Sequence, residues 1–316
     1  MDSLLARFAE DSYWLARYIE RAENLARLLD VTESFDRGHQ DSAQWASILA
    51  LFGDQAAYQS RYKVVQARDV IRFYSLDRNN PNSIISSIRF ARNNARTLRH
   101  LISVEMWTQI NVFYNRVDAL RSRDVTQAKL SRFCGSIKDD CQLFQGCTQN
   151  TLYRDQVWHF YRLGRLIERC DQTTRLVDMK TASVSVAKPE IAHAQDLSQW
   201  NTMLRAASAY HGYLRRYPRE MTPNTVSGFV LFDPGLPRSI AFCATEMRHV
   251  IDQMRTVIDE RQHASIARQL KKLDKMARSH PEKVIESGLH DFLDAVQVEL
   301  MGLHNSLAKA CFPVPI

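Results

Sequence analysis

Residues 13–30 read YWLARYIERAENLARLLD, and residues 161–178 return to the same pattern as YRLGRLIERCDQTTRLVD. Nine positions are identical at a constant offset of 148 residues, in the order Tyr, Leu, Arg, Ile, Glu, Arg, Arg, Leu and Asp. Apolar residues recur every three or four positions in both stretches, which is the period of a helix with one packed face. The repeat predicts two long helices, at about residues 3–35 and 152–181.

Further matches follow in the same order at an offset of 155 or 156 residues. The aromatic and loop positions that match are Trp45, Tyr58, Arg61, Tyr62, Phe73, Asp77, Pro81, Ser83 and Ile84 with Trp200, Tyr213, Arg216, Tyr217, Phe229, Asp233, Pro237, Ser239 and Ile240. The sequence therefore predicts two diverged copies of one helical unit, residues 1–150 and 151–316. The polar run Gln149-Asn150-Thr151 is the expected junction.

The composition favours helices over strands. Gly (10) and Pro (9) are scarce for 316 residues, and no convincing strand period occurs. We predict an all-α, two-fold internally duplicated helical bundle whose pseudo-symmetric halves pack into one body. Besides the two long helices, others are predicted near 41–51, 64–76, 83–101, 104–121, 124–147, 196–208, 238–259 and 284–310. Residues 182–195 contain few large apolar side chains and are predicted to form a flexible connection.

Several function classes lack a sequence signal. Charged residues interrupt every apolar stretch, and the start of the chain does not resemble a secretion signal, so a soluble cytoplasmic protein without a membrane partner is expected. The six cysteines form no CxxC pair and are expected to be reduced. No phosphate-binding Gly-rich loop or nucleophile elbow occurs, and the ExxH motif of a di-iron bundle is present once, at Glu246 and His249. No cofactor and no metal site is therefore predicted.

The formal net charge is +7, and arginine rather than lysine provides most of the positive charge. Arginine forks suit bidentate contacts with carboxylates or phosphates. The basic stretch from Arg268 to Arg278 is interpreted as a solvated helix face or loop. RNA binding rests on this stretch and on the net charge alone, so it is the weakest of the functional hypotheses.

A polar stripe accompanies the apolar one on the first long helix and is repeated on the second. Its members are Arg17, Glu20, Asn24 and Arg27, with Arg165, Glu168, Gln172 and Arg175 as counterparts. We expect the stripe to lie on the side away from the apolar one. Three interpretations remain open: a solvated face with weak ion pairs, a buried Glu–Arg network, and an arginine-lined ligand site. In the ligand site, Glu20 or Glu168 would be the candidate general base.

Several roles are likewise open for Asp77 and Asp233 in the matched loops. An aspartate beside a helix start can cap the helix, bind a cation or orient a substrate amine, and capping or loop rigidity is the favoured interpretation. The paired tyrosines, Tyr58 with Tyr62 and their counterparts in the second half, are expected to close a core rather than to stack on a ligand.

Four long motifs carry a resemblance to a known family. They are LLARFAEDSYWLARYIERAENLARLLD at residues 4–30, DRNNPNSIISSIRFARNNARTLR at 77–99, SVEMW at 103–107 and FDPGLPRSI at 232–240. In type and order they resemble the bacterial alpha-E family over essentially the full chain. The run Trp158-His159-Phe160-Tyr161 is a modest departure from the family pattern.

The resemblance implies a bacterial cytoplasmic protein whose characteristic acidic residues are Glu20 and Glu168, close to Arg17, Arg21, Arg165 and Arg169. It also implies association with circularly permuted ATP-grasp proteins and with transglutaminase-like proteases. ATP-grasp ligases join carboxylates to amines through acyl phosphates, so a role in making or modifying a peptide is expected. The chain would be an accessory protein that binds the ligase or an acidic substrate group, or an enzyme of the same pathway. A homo-oligomer is compatible with either role.

Overall fold

In a computed structural model, the structure describes residues 4–36, 42–184, 192–219, 221–256 and 258–312, and these ranges are helical with no strand. The prediction of an all-α fold is confirmed. The helices are α1 (Ala6–Asp36), α2 (Ser42–Phe52), α3 (Gln55–Gln59), α4 (Ala67–Ser75), α5 (Ile84–Thr97), α6 (Val104–Asp118), α7 (Leu130–Thr151), α8 (Gln156–Val184), α9 (Ala192–Ala206), α10 (Tyr210–Arg216), α11 (Pro223–Phe232), α12 (Ile240–Gln253), α13 (Glu260–Ala277) and α14 (Pro281–Cys311). Short 3₁₀ segments lie at Ser122–Asp124, Gln127–Lys129 and Met254–Thr256.

The two long helices, α1 and α8, form the centre of the molecule. They pack against each other more extensively than any other pair in the described ranges. Helices α5 and α7 cover α1 further, while α12 and α14 cover α8. Helix α1 is consequently buried on almost every side, and its polar residues Glu20, Glu23, Asn24 and Arg27 are buried with its apolar ones. The interpretation of the polar stripe as a solvated face is therefore wrong for the residues on α1.

A glycine allows the close approach of the central helices. Gly164 on α8 lies against the backbone of Tyr13 on α1, and a Cβ atom at this position would overlap the Tyr13 carbonyl oxygen. Any larger residue would force the two helices apart. Gly164 therefore sets the spacing at which side chains on α1 and α8 meet.

The helices that follow the Asp77 and Asp233 loops begin in the same way. Ser83 and Ser239 are the N-caps of α5 and α12, and their hydroxyls accept hydrogen bonds from the amides of Ser86 (3.2 Å) and Phe242 (2.9 Å). Serine is a favoured N-cap because its short side chain satisfies an amide that has no partner within the helix. The capping role thus belongs to the serines and not to the aspartates.

The remaining differences from the predicted elements concern boundaries and short helices. Helix α7 continues to Thr151, so Gln149-Asn150-Thr151 is helical, and residues 152–155 connect α7 to α8. Helices α3, α10 and α11 were not predicted, and α13 resolves the basic stretch as a helix whose arginines and lysines are exposed. Parts of the predicted connection at 182–195 belong to α8 and α9, and its centre lies outside the described residues.

Two further expectations concern packing and hydropathy. Tyr58 and Tyr213 are fully buried and stack on Tyr62 and Tyr217 with ring centroids 4.8 and 5.2 Å apart, as expected for core aromatics. Within the described ranges, every helix is too short or too polar to cross a lipid bilayer.

Candidate functional site

The two Glu-Arg dipeptides pair with each other across the α1–α8 contact. Arg169 donates from Nε and Nη2 to the two carboxylate oxygens of Glu20, at 2.9 Å each. Arg21 donates in the same way to Glu168, at 2.7 and 3.1 Å. We call Glu20–Arg169 and Glu168–Arg21 the crossed pairs. Both are bidentate, the strongest geometry for a guanidinium and a carboxylate, so they tie α1 to α8.

Both glutamates of the crossed pairs are fully buried, at 0% exposure. Amides one turn further along each helix complete their contacts: Asn24 donates to Glu20 and Gln172 donates to Glu168, at 3.2 Å each. A buried carboxylate is tolerated when its oxygens are satisfied by charged and neutral donors in this way. The site is a buried Glu–Arg network, one of the three interpretations left open by the sequence.

Arg27 and Arg175 act at the ends of other helices. Arg27 donates from Nη1 to the carbonyl oxygen of Ala206, the last residue of α9, at 2.7 Å. Arg175 donates from Nη1 to the carbonyl oxygen of Leu51, near the end of α2, at 2.6 Å. A cation at a helix C-terminus stabilises carbonyls that have no partner within the helix. These two arginines therefore anchor each half to the other.

The arginines keep both glutamates ionised. Burial alone would raise the pKa of Glu168, but the charges of Arg21 and Arg17 outweigh it and lower the pKa to about 2. Burial likewise opposes ionisation of Glu20, and Arg169 together with Arg238 holds the pKa of that carboxyl well below its usual range. A carboxylate stabilised this strongly is a weak proton acceptor.

Arg238 distinguishes the surroundings of Glu20 from those of Glu168. Its Nη1 donates to Glu20 at 3.0 Å and its Nη2 donates to Glu23 at 2.7 Å, and burial lowers the pKa of the guanidinium to about 10. The corresponding position in the first half of the sequence is Asn82, which binds Asp54 instead. Sequence reasoning missed Arg238 because only identical repeat positions were selected.

Arg165 and its repeat counterpart Arg17 differ in their contacts with the glutamates. On the other side of the network Arg17 donates from Nε to Glu168 at 2.7 Å. Arg165, which matches Arg17 in the repeat, lies 3.8 Å from Glu20 and its buried Nε has no hydrogen-bond partner in the described part of the chain. Burial and the neighbouring Arg169 lower the pKa of Arg165. Glu20 thus compensates the positive charge of Arg165 only weakly.

Arg165 lines a cavity of about 640 Å³ beside α8, which we call the α8 cavity. Its wall includes Arg154, Trp158, His159, Arg162, Arg165 and Arg169, with Phe242 and Glu246 from α12. Trp158, Arg162, Arg165 and Arg169 lie on one face of α8, because their positions differ by three or four residues, and His159 lies beside that face. The cavity carries four arginines and one carboxylate in its wall, which is a composition suited to an anion.

A second cavity of about 540 Å³, the α14 cavity, lies on the other side of the network. Its charged wall residues are Arg17, Arg21, Arg175, Glu168, Asp171, Asp294 and His304. The three arginines face three carboxylates, so the wall has no excess charge. Burial lowers the pKa of His304 to about 4, and its Nδ1 lies 3.0 Å from the Tyr13 hydroxyl.

The predicted site residues are therefore divided among several places. Arg165 and Arg169 line the α8 cavity, while Arg17, Arg21, Glu168 and Arg175 line the α14 cavity. Glu20 and Arg27 are buried in the network and line neither cavity. Sequence reasoning missed Arg154 and Arg162.

Asp77 and Asp233 lie in their loops, away from the crossed pairs. Asp77 Oδ1 accepts from the amide of Asn79 at 2.9 Å and its other oxygen pairs with Arg61. Asp233 Oδ1 accepts from the amide of Gly235 at 2.8 Å. Each aspartate thus forms a local turn that holds its loop, which agrees with the rigidity interpretation.

Among the described residues, one group could hold a metal ion: Asp178, His290 and Asp294, whose ligand atoms lie within 4.8 Å of one another. His290 already lies 2.8 Å from Asp178, and its side chain is largely exposed. The single ExxH motif is engaged elsewhere, because Glu246 pairs with Arg162.

The comparisons with known proteins agree with the helical fold. The Alpha-E family, described as a predicted alpha-helical domain with a conserved ER motif, matches residues 4–312. Uncharacterized proteins of Mycobacterium bovis and Mycobacterium tuberculosis are 24% identical over 322 residues, which cover 95% of this chain. The chain spans 35% of the length of these relatives. No solved structure matches the chain. With its two Glu-Arg dipeptides paired at the centre of an all-helical fold, the chain belongs to the Alpha-E family.

Proposed function

We propose that the protein is a non-catalytic accessory protein of a circularly permuted ATP-grasp peptide ligase system. In this role its α8 cavity holds an acidic or phosphorylated group of the peptide while the ligase acts on it. The single observation that supports this proposal most strongly is Arg165, which lines the cavity and whose buried Nε lies 3.8 Å from Glu20 without a hydrogen bond. Anions would be drawn to this position because the arginine is poorly compensated.

The proposal uses the family resemblance for the partner and the charge distribution for the ligand. ATP-grasp chemistry proceeds through acyl phosphates, so its substrates and intermediates carry carboxylates or phosphoryl groups. An arginine-lined cavity on a rigid helical frame could retain such a group without performing chemistry. A transglutaminase-like protease is a further partner in the same proposal, and the system would belong to the bacterial cytoplasm.

We also infer that the two halves, residues 1–150 and 151–316, derive from duplication of one helical unit. The contacts that support this inference are reciprocal: each Glu-Arg dipeptide pairs with the other, and Arg27 and Arg175 each anchor a helix of the opposite half. Arg238 is a later difference in this history, because Asn82 stands at the matching position. The duplication would thus have produced the frame, and divergence would have produced the α8 cavity.

An enzyme that uses Glu20 or Glu168 as a general base is the alternative hypothesis. Glu168 lines the α14 cavity beside His304, which is the observation in its favour. Both oxygens of Glu168 accept from arginines, however, and its pKa is lowered to about 2. Proton abstraction at neutral pH requires a much more basic group, so the accessory role is the better-supported proposal.

The partner is tested with the purified circularly permuted ATP-grasp protein of the same organism. The tagged chain is immobilised, and retention of the ligase is measured for wild type, for the double variant Arg154→Gln, Arg165→Gln, and for Arg132→Gln. Arg132 is an exposed arginine on α7 outside the cavity, so it controls for the loss of positive charge. Circular dichroism and thermal unfolding establish that each variant is folded.

We expect wild type and Arg132→Gln to retain the ligase with its peptide substrate, and the double variant to retain at least about tenfold less. Equal retention by all three proteins would move the contact away from the α8 cavity. Failure of the wild type to retain the ligase, with and without its substrate, would reject the accessory role.

A further inference from the structure

The α8 cavity contains two guanidinium groups that no carboxylate neutralises closely. Arg162 pairs with Glu246, and Arg169 belongs to a crossed pair. Arg165 is 3.8 Å from its nearest carboxylate, which Arg169 and Arg238 already occupy. Among the described residues no carboxylate pairs with Arg154, whose Nη2 donates to the carbonyl oxygen of Gln149 at 2.6 Å. The wall therefore has about two uncompensated positive charges.

Trp158 holds Arg154 at the wall. The guanidinium carbon of Arg154 lies 3.5 Å from the centre of the indole ring, a distance typical of a close cation–π contact. The indole stacks in turn on Tyr161, with an interplanar angle of 9°. Arg154 is thus positioned by aromatic rings and a backbone carbonyl, and its charge remains available to a ligand.

His159 adds a third group to the same wall. Its Nδ1 is buried and has no hydrogen-bond partner among the described residues. The charged groups near this ring are Asp155 and Arg162, with Arg154 and Glu246 elsewhere in the wall. Burial and the positive charge of Arg162 lower the pKa of His159, so the free cavity contains a neutral ring with one unused nitrogen.

The α14 cavity serves as an internal comparison because it contains the repeat-related arginine. There Arg17 donates to Glu168, and Arg175 pairs with Asp171 at 2.9 Å. The excess positive charge therefore does not arise from the crossed pairs themselves, which both cavities share. It arises from Arg154, which no described carboxylate pairs with, and from Arg165, which lies 3.8 Å from Glu20 without a hydrogen bond from its Nε.

From this arrangement we infer that the α8 cavity binds a phosphoryl group as its dianion, with Arg154, Arg165 and the imidazole of His159 as its ligands. The inference rests on the proposed function and names the group that the cavity holds. A phosphoryl group offers three acceptor oxygens and close to two negative charges near neutral pH. A single carboxylate offers two oxygens and one charge, so it would leave one guanidinium uncompensated.

Calorimetric titration with inorganic phosphate and, separately, with acetate tests this inference on the full chain. Wild type is expected to bind phosphate at least about tenfold more tightly than acetate. Arg165→Gln and Arg154→Gln are each expected to weaken phosphate binding by at least about tenfold, while Arg132→Gln is unchanged.

The outcomes separate the two proposals. If acetate binds as tightly as phosphate and both depend on Arg165, the phosphoryl inference is overturned while a cavity for acidic groups remains. If neither anion binds, or if the Arg154 and Arg165 variants bind as wild type does, the anion site is rejected and the proposed function loses its basis in the α8 cavity.

Sulfate tests the part assigned to His159, because sulfate stays a dianion across the pH range in which histidine titrates. A bound dianion raises the pKa of His159, so affinity is greatest at low pH and is lost as pH rises through the bound-state pKa. We expect sulfate affinity of wild type to fall as pH rises through the range in which His159 titrates, and that of His159→Gln to remain level over the same range. An identical pH profile in the two proteins would exclude His159 as a ligand.

Discussion

A glutamate buried without a partner destabilises a protein by several kcal/mol, so the two fully buried glutamates at the centre of this fold depend on their arginines. Each carboxylate of Glu20 and Glu168 accepts two hydrogen bonds from one guanidinium and further bonds from other donors. In the sequence, these residues have the three- and four-residue spacing that is typical of weak surface ion pairs. Their burial, however, makes each one difficult to replace.

Removal of one carboxylate should therefore be costly. We expect Glu20→Gln to lower the free energy of unfolding by about 3–5 kcal/mol, because Arg169 would remain buried without its carboxylate partner and Arg238 would keep only Glu23. Urea unfolding monitored by circular dichroism measures the change. The control is Asp118→Asn at the exposed pair with Arg78, whose side chains are 36% and 46% exposed. A change below about 1 kcal/mol is expected there, and an equal cost at both sites would contradict the role of the network.

The depressed pKa of Glu168 predicts a specific response to acid. Its pKa is about 2 in the folded protein against an ordinary value of 4.5, so its contribution to stability is complete above pH 4.5 and is lost as pH falls toward 2. Urea unfolding at a series of pH values in this window should show a shallower decline in Glu168→Gln than in wild type. The same slope in both proteins would show that Glu168 is not the titrating group.

Sequence comparison within the chain identified the central residues but could not describe their environment. Glu20, Arg21, Glu168 and Arg169 were selected because both copies retain them. The repeat could not show that each dipeptide pairs with the other, since partners in space are set by helix packing. Arg238 was missed for the opposite reason, because its repeat position carries asparagine.

At the scale of helices, the contact between α1 and α8 decides the geometry of the site. Gly164 lets the helices approach until its Cα faces the Tyr13 carbonyl. Bidentate pairs across this contact need guanidinium and carboxylate groups at a fixed distance, so the spacing of the helices and the charges of the network are linked.

Gly164→Ala should therefore destabilise the protein although alanine is the better helix former. The added methyl group would overlap backbone atoms, and we expect a loss of about 1–3 kcal/mol in urea unfolding. Gly146→Ala on α7 is the matched control, because a Cβ there meets no atom within 4 Å. That variant should gain about 0.5–1 kcal/mol. A gain at both positions would contradict the close helix contact.

The long helices were predictable because many turns of periodic apolar residues support each one. The five residues of α3 and the seven of α10 offer too few turns for such a period, and they are held by neighbours that the sequence does not reveal. The α8 cavity escaped prediction for a related reason, since its wall combines α8 with residues of α12 and the segment before α8.

At the scale of the whole molecule, the network makes the two halves dependent on each other. Glu20 lies in the first half and its guanidinium partners, Arg169 and Arg238, lie in the second. The arginines at the helix ends also connect the two halves. Arg27 binds the end of α9, and Arg175 binds the end of α2. A half that folded alone would expose the packed faces of α1 or α8 and would separate Glu20 from Arg169 and Arg238.

Residues 1–150 and 151–316, produced separately, are therefore expected not to fold into stable monomers. Without residues 151–316, Glu20 loses Arg169 and Arg238, Glu23 keeps only Arg27, and the apolar surface of α1 meets water. These losses together outweigh the contacts that remain within the half. Size-exclusion chromatography and urea unfolding should show aggregated or non-cooperative material for each half, and a cooperative complex after co-expression. The control is full-length chain cleaved within residues 152–155, which should stay associated. A cooperatively unfolding monomer from residues 1–150 alone would show that the crossed pairs are dispensable for folding.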